Sequence, residues 1–548
     1  MPDPVWKNAW KWHIFALALY TALAAVFIGL GASITKTIYG HSNDPFIFIW
    51  FFSWWPWALA HHLNPFFTQL IWQPTGLNLA WTTNVPFLAL LAAPLTFLSG
   101  PVFAYNVLTL AAPALAAWAA YFLCLYVSRV PGAALLGGYL FGFSSYQMAH
   151  TGLHLNLTFT ALIPCLLLLA LLRLDGRISR WPAILGAAFL VAGQFAISAE
   201  LLATTLMFGA ITWALAYWHF PVRRLPLQHL AGEGVLAGLF AAMLVSPLLW
   251  GMFSRPRGIQ LPPHWPLVFV TDPLNLIVPT IVTALGGSWA LPLTRHFSGL
   301  LDEQGAYLGL PLLFILWGYC RAHSRFFGLL LGVIILLSCG PQLRLAGVVT
   351  HIPLPWALLR HLPFIGMALP ARFMLYASLA GALIAALWIA ESPSGQPRRL
   401  RLLAGLLASV ILLPAPHGGQ PVPSSSFFAP GHVQGALGNN KRLLILPFGI
   451  MGPSSFWQQE SRFSFAQTGG YLGFPPAAIQ SDKPILWFYF GLDYPGFTPD
   501  FIRFCQSTHT DFVVAGPGTS AHAMAQMQAL DWRAQKIDDV TVFTVPAP

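Results

Sequence analysis

The chain has 548 residues, of which 56% are apolar, 14% aromatic and only 8% charged. That charged share is about a third of the share in a soluble domain. It excludes an ordinary soluble enzyme, a disordered chain and a collagen-like fibre, and leaves a polytopic membrane protein. The formal net charge is +10, from 27 Lys and Arg against 17 Asp and Glu. No basic run is interleaved with exposed aromatics, so no nucleic-acid partner is expected.

The first apolar run, 13–33, follows Lys7 and Lys11. It is too long for a signal peptide and reads as a retained helix. Further apolar runs lie near 102–127, 131–149, 155–172, 182–199, 201–219, 230–250, 306–320, 326–340, 373–390 and 402–413. The predicted membrane domain, 1–414, is therefore an all-α bundle of about 11 transmembrane helices, at about 20 residues per crossing.

Val85–Ser99 decides the topology. It is short and carries Pro86 and Pro94. Leaving it out of the spans puts 13 of the 20 basic residues of 1–414 on the inner side; counting it in leaves 8. The inner side of a membrane protein carries the excess of Lys and Arg. The run is accordingly expected to lie at, or dip into, the outer interface. The N-terminus is then inside, the C-terminus outside, and the outer loops are 34–101, 251–305 and 341–372. Residues 415–430, rich in Pro, Gly and Ser, read as a linker. Residues 431–548 read as a small soluble α/β or α+β domain. Its predicted strands are Arg442–Phe448, Phe512–Ala515 and Val540–Val545, and its predicted helix is Ala521–Leu530, capped by Ser520. No nucleophile elbow, phosphate loop or metal box occurs in this tail. The five cysteines are scattered and form no CxxC, which argues against a disulfide framework and a zinc site.

Acidic residues are few in 1–414. Asp3, Asp175, Glu233 and Glu391 fall on the inner side and offset loop arginines. Asp44, Glu200, Asp272, Asp302 and Glu303 fall on the outer side, where an acid at a bilayer interface is a functional candidate. Asp44 precedes the aromatic stretch Phe46–Trp57, which reads as an interfacial helix because Trp favours the headgroup zone. Asp44 is expected as its N-cap, with Pro45 at the first helical position. Capping alone leaves the large apolar surface beside it unexplained. Arg255, Arg257, Arg295, Arg344, Arg360 and Arg372 run against the inside bias. Guanidinium forks match phosphate oxygens, and headgroup snorkelling is the plainer alternative. His150 and His154 are four apart, a spacing that puts two imidazoles on one helical face; without a third ligand, polar loop histidines are the simpler reading. Glu200 sits in the turn between two spans, as a site acid or a turn residue.

Several segments carry a resemblance: Asn43–Phe46, Asn64–Phe66, Pro74–Pro86, Phe141–Tyr146, Leu153–Asn156, Glu303–Gly309 and Trp457–Gly473. Through them the chain resembles a bacterial branch of the GT-C superfamily of polytopic glycosyltransferases, over most of 35–310 and part of the tail. The resemblance implies interfacial helices in a large first outer loop, a sugar donor carried on a polyprenyl phosphate, and an acid early in that loop, which Asp44 matches. Many members carry a second acid there. Here Asn43 precedes Asp44 and no second acid occurs in that loop before position 101, so bound metal is not favoured and no cofactor is expected. The implied reaction moves a sugar onto an envelope glycan, lipid or protein at the outer face of the bacterial cytoplasmic (inner) membrane. Asp44 is the general base, Arg255, Arg257 or Arg372 meets the phosphate, and His150, His154, Glu200, Glu303 and Tyr307 line the substrate site. A single displacement inverts the sugar. A lipid or glycolipid transporter, or flippase, and a non-catalytic envelope assembly factor are the alternatives.

Overall fold

The computed structural model describes residues 10–255, 258, 265–323, 325–362, 365–391, 396–492 and 497–546. It divides into two compact units. One is drawn from Met1–Ala32, Val107–Val245 and Pro262–Gly419; the other from Ser33–Asn106, Ser246–Leu261 and Gln420–Pro548.

The first unit is helical. Among the described residues, seven of the eleven apolar runs form helices long and apolar enough to cross a membrane: Trp10–Gly29, Pro101–Ser128, Leu155–Leu174, Arg180–Ile197, Ala199–His219, Pro221–Leu244 and Pro370–Ala390. The chain is thus a multi-pass membrane protein. The other four runs form shorter helices, Pro131–Gly142, Gly309–Ala322, Arg325–Ser338 and Gln396–Ile411. The run 131–149 breaks because Ser144 starts a new helix, Ser145–His150, its hydroxyl accepting from the Gln147 amide at 3.3 Å. Val85–Ser99 is helical from Pro86 to Ser99, 14 residues.

Small residues let the helices of this unit approach closely. A Cβ on Gly138 would stand 2.6 Å from the Ala117 carbonyl, and one on Gly142 2.5 Å from the Ala117 amide. On Gly137 it would meet the Cys124 sulfur at 2.5 Å and the Ala382 carbonyl at 3.1 Å. The helix Pro131–Gly142 is thereby fitted against Pro101–Ser128 and Met374–Ala390, and the last is buried along most of its length. Two of the acids expected to offset loop arginines, Glu233 and Asp175, do pair with them. Glu233 accepts two hydrogen bonds from Arg173, at 2.7 and 2.8 Å, and Asp175 accepts one from Arg223 at 2.8 Å.

The second unit joins segments far apart in sequence. The predicted aromatic helix forms as Asp44–Ala60, with Trp50, Trp54 and most of its other apolar side chains buried. The Trp50 and Trp54 rings stack with centroids 5.1 Å apart. The Trp50 indole donates to the Gln458 side chain at 3.0 Å, and Ser53 donates to Gln459 at 3.0 Å. The Trp50 indole thus finds its polar partner on the tail helix Ser454–Glu460, and the Trp54 indole donates to the Pro65 carbonyl at 3.0 Å. Main-chain bonds run the same way: the amides of Trp72 and Gln73 donate to the carbonyls of Gly469 and Gln467, and the Gln467 amide donates to Leu70. The linear division at 430 differs from this compact unit, which takes in the first outer loop together with the tail.

The tail contains a five-stranded mixed sheet of β1 (Arg442–Leu446), β2 (Ala466–Gln467), β3 (Phe512–Ala515), β4 (Ala534–Ile537) and β5 (Val540–Thr544). Their order is β4-β5-β3-β1-β2. β1 runs parallel to β2 and β3, while β5 is antiparallel to β3 and β4. The three predicted strands are β1, β3 and β5, and the predicted helix is Ala521–Gln528 with Ser520 accepting from the Ala523 amide at 3.1 Å.

Replacing Trp50 by Ala removes a fully buried ring and is expected to cost about 3–5 kcal/mol, read as a lower unfolding temperature in detergent. Trp250, 75% exposed in the same unit, serves as the contrasting position, where Ala changes that temperature little.

Candidate functional site

Each unit carries a cluster of ionisable side chains. In the second unit the centre is Asp44. The helix begins one residue earlier than expected: Asn43 occupies the cap position, Asp44 is the first helical residue and Pro45 the second. The Asn43 side chain does not cap; its amide donates to the Ile450 carbonyl at 2.7 Å. The expected capping role of Asp44 is corrected accordingly, since its carboxylate Oδ1 accepts from the Tyr471 hydroxyl. A carboxylate in the first turn also meets the positive end of the helix dipole.

Tyr471 is delivered by two glycines. Gly470 has φ +123°, and a Cβ there would lie 2.4 Å from Ile71. A Cβ on Gly469 would lie 2.2 Å from the Phe448 ring. Ser455 then holds the Tyr471 backbone, donating to its carbonyl at 2.5 Å and accepting from its amide at 3.3 Å. Tyr489 stands beside this pair, its ring 6.3 Å from that of Tyr471 and its hydroxyl donating to the Gly473 carbonyl. Burial, and then the Asp44 charge, push its phenol well above the ordinary range. Arg255 belongs to the same unit; it is exposed and its guanidinium lies over the Phe67 ring at 3.9 Å. Arg257 lies outside the described residues.

In the first unit the centre is Arg372. Its Nη2 donates to Glu303 at 2.5 Å, its Nε to the same carboxylate at 2.9 Å, and its Nη1 to Glu200 at 2.5 Å. Glu200 stands in the first turn of its helix, beyond the Ser198 cap, and also accepts from the Leu369 amide at 3.3 Å. His150 Nε2 lies 3.9 Å from Glu303, and His154 Nδ1 lies 3.7 Å from Asp302. The two histidines face each other with Nδ1 atoms 3.4 Å apart, but across the end of one short helix and the start of the next. Tyr307 is buried, its hydroxyl beside Gly309.

The structure thus brings together Arg372, Glu200, Glu303, His150 and His154 in one unit, and sets Asp44 and Arg255 in the other. The Arg372 fork is committed to two carboxylates. With Asp302 nearby, three acids share one arginine, an environment that disfavours a further anion. No cluster of three or more His, Cys, Asp or Glu among the described residues has the arrangement of a metal site. Two participants escaped the sequence reading. Asp302 appeared only as one acid among five, and Tyr471 only within a resembling segment; the paired glycines before Tyr471 are the signal that marks it.

Burial pushes the His150 imidazole down, to about 3. Burial pushes the Glu303 carboxyl up, yet the Arg372 charge, His150 and the Arg372 hydrogen bonds hold it below the ordinary range.

No family model matches the chain, and no curated protein matches it. Solved structures do. The fold is similar to that of a solved glycosyltransferase. The arabinofuranosyltransferase AftD from Mycobacteria aligns with a TM-score of 0.58 at 17% identity, over 98% of this chain and 40% of AftD. A structure of an AftD mutant aligns at 0.59 and 14% identity, over 98% of this chain and 42% of that one. ArnT from Cupriavidus metallidurans bound to undecaprenyl phosphate gives 0.47 and 12% identity, over 98% of this chain and 99% of ArnT. The chain spans about two fifths of the length of AftD.

Both shifts set the pH response of the first unit. A histidine held neutral stabilises fully above its unfolded value of about 6.5 and loses that contribution as pH falls. A depressed carboxyl stabilises above its unfolded value of about 4.3 and loses that contribution on further acidification. The unfolding temperature is expected to fall steadily from pH 6.5 to 4, with a shallower slope in His150→Asn. Arg372→Met leaves buried carboxylates unpaired and is expected to cost about 3–5 kcal/mol at neutral pH, measured by the same thermal scan.

Proposed function

We propose that this protein is a membrane glycosyltransferase. It moves a sugar from a polyprenyl-phosphate donor to an envelope glycan, lipid or protein at the outer face of the bacterial cytoplasmic membrane, with its N-terminus inside and its C-terminus outside. The observation that carries the reading is the carboxylate of Asp44, held at the first turn of a buried aromatic helix by Tyr471, within a chain of GT-C fold. Asp44 lies on none of the seven helices able to cross a membrane, which favours a site for surface chemistry over a conduction path through the bundle.

The chemistry follows from the groups present. An acceptor hydroxyl attacks the anomeric carbon and gives its proton to Asp44. The new O–C1 bond forms as the bond from C1 to the phosphate oxygen breaks, and the electron pair leaves on the lipid phosphate. One displacement inverts the anomeric centre. The leaving phosphate is anionic and needs a cation. Arg255, exposed in the same unit as Asp44, is assigned that role in preference to Arg372, whose fork is already paired. Two described side chains beside Asp44 fit a divalent metal poorly: Asn43 points its amide at a carbonyl, and Tyr471 is a phenol. No step is routed through a metal.

The test is transfer from radiolabelled undecaprenyl- and decaprenyl-phosphate sugars in membranes. Asp44→Asn is expected to lower transfer by at least about 10²-fold with unchanged expression and unfolding temperature, and EDTA to leave the wild type unaffected. Transfer retained in Asp44→Asn overturns the base assignment, and transfer lost to EDTA returns a metal to the site. Arg255→Ala is expected to raise KM for the donor about tenfold, the loss of one charge-assisted contact, with a smaller effect on kcat.

A further inference from the structure

The geometry points to Tyr471 as the positioning residue of the Asp44 base, so that the C-terminal tail completes the reactive carboxylate of the first loop; this rests on the reading of Asp44 as base. Three observations meet at this pair. First, the Tyr471 hydroxyl donates to Oδ1 of a residue 427 positions away. Second, the tail fastens the neighbouring residue as well, through the Ile450 carbonyl on the Asn43 amide. Third, the backbone is shaped for this delivery. Gly469 and Gly470 occupy positions where a Cβ would collide with Phe448 and Ile71, and Ser455 grips Tyr471 at both its amide and its carbonyl.

The consequence is chemical as well as geometric. The terminal torsion of an aspartate is soft, so a carboxylate at the open end of a helix samples a wide arc. A phenol donating to one oxygen fixes the plane of the group and so directs the other. The same bond stabilises the charged form and lowers the carboxyl's proton affinity, keeping the base ready at lower pH. Among the described residues, Tyr471 and Tyr489 are titratable side chains beside Asp44. Of the helices packed on Asp44–Ala60, Pro86–Ser99 carries no ionisable side chain and Ser454–Glu460 carries only Glu460 at its far end. Tyr489, with its hydroxyl bound to the Gly473 carbonyl, walls the pair without donating to a carboxylate in that bond.

The experiment uses the full chain in membranes and reads Asp44 itself. Its carboxyl stretch is isolated as the infrared difference between wild type and Asp44→Asn and titrated against pH, beside the pH profile of transfer from the donor panel. Tyr471→Phe removes the donor and is expected to raise the Asp44 midpoint, and the acid limb of the profile, by about one pH unit, with transfer falling about tenfold. Incorporating 3-fluorotyrosine at 471 keeps the ring and hydroxyl but makes a stronger donor, and is expected to move both in the opposite direction. A merely structural tyrosine moves neither. Should Tyr471→Phe fail to fold, the fluorinated side chain decides alone. An unmoved midpoint in the folded variants overturns the role of Tyr471 while leaving an inactive Asp44→Asn to support the base. Transfer retained in Asp44→Asn overturns the base and this inference with it.

Discussion

The structure of the second unit turns on what to do with one helix. Asp44–Ala60 presents Phe, Trp and Ile on every side, and a helix apolar all round must be covered. The tail helix Ser454–Glu460 supplies part of that cover, and the amides of Gln458 and Gln459 receive the polar atoms of Trp50 and Ser53. Once the aromatic helix is seated, its first turn is fixed, and so is the carboxylate of Asp44. The main-chain bonds between 70–73 and 467–469 follow from the same docking and set the path on which Gly469, Gly470 and Tyr471 lie.

The two ionisable clusters differ in kind. Arg372 sits in a low-dielectric setting where a lone charge is costly, and Glu303 and Glu200 neutralise it with short charge-assisted bonds. Every strong donor of that fork has a partner, so the cluster holds together Pro370–Phe373, the turn at Leu301–Glu303 and the start of Ala199–His219. At Asp44 the carboxylate meets the Tyr471 phenol and a helix N-terminus. The fold similarity to AftD fixes neither role; the local chemistry of each cluster argues for it.

What the sequence by itself determined is what composition and short-range pattern control. Membrane class follows from an 8% charged content. Strands β1, β3 and β5 and the Ser520-capped helix follow from apolar runs bounded by turn and cap residues. The pairing of Glu233 and Asp175 with loop arginines follows from the cost of unpaired charge. Asp44 stood out because an acid beside so much aromatic surface needs a reason. The short strands β2 and β4 were missed because Ala-Gln and Ala-Gln-Lys-Ile carry no apolar alternation; their partners in the sheet create them.

Tertiary structure alone decided the rest, because it depends on contacts across hundreds of residues. The apolar run 131–149 breaks in two at the Ser144 cap. Arg372 is paired because two acids, 172 and 69 positions away, converge on it. Asp44 moved from the cap into the first turn because Asn43 was drawn to Ile450. Its partnership with Tyr471 exists only where the tail closes on the first loop. Local propensity has no term for such a meeting, whereas burial of the aromatic helix enforces it.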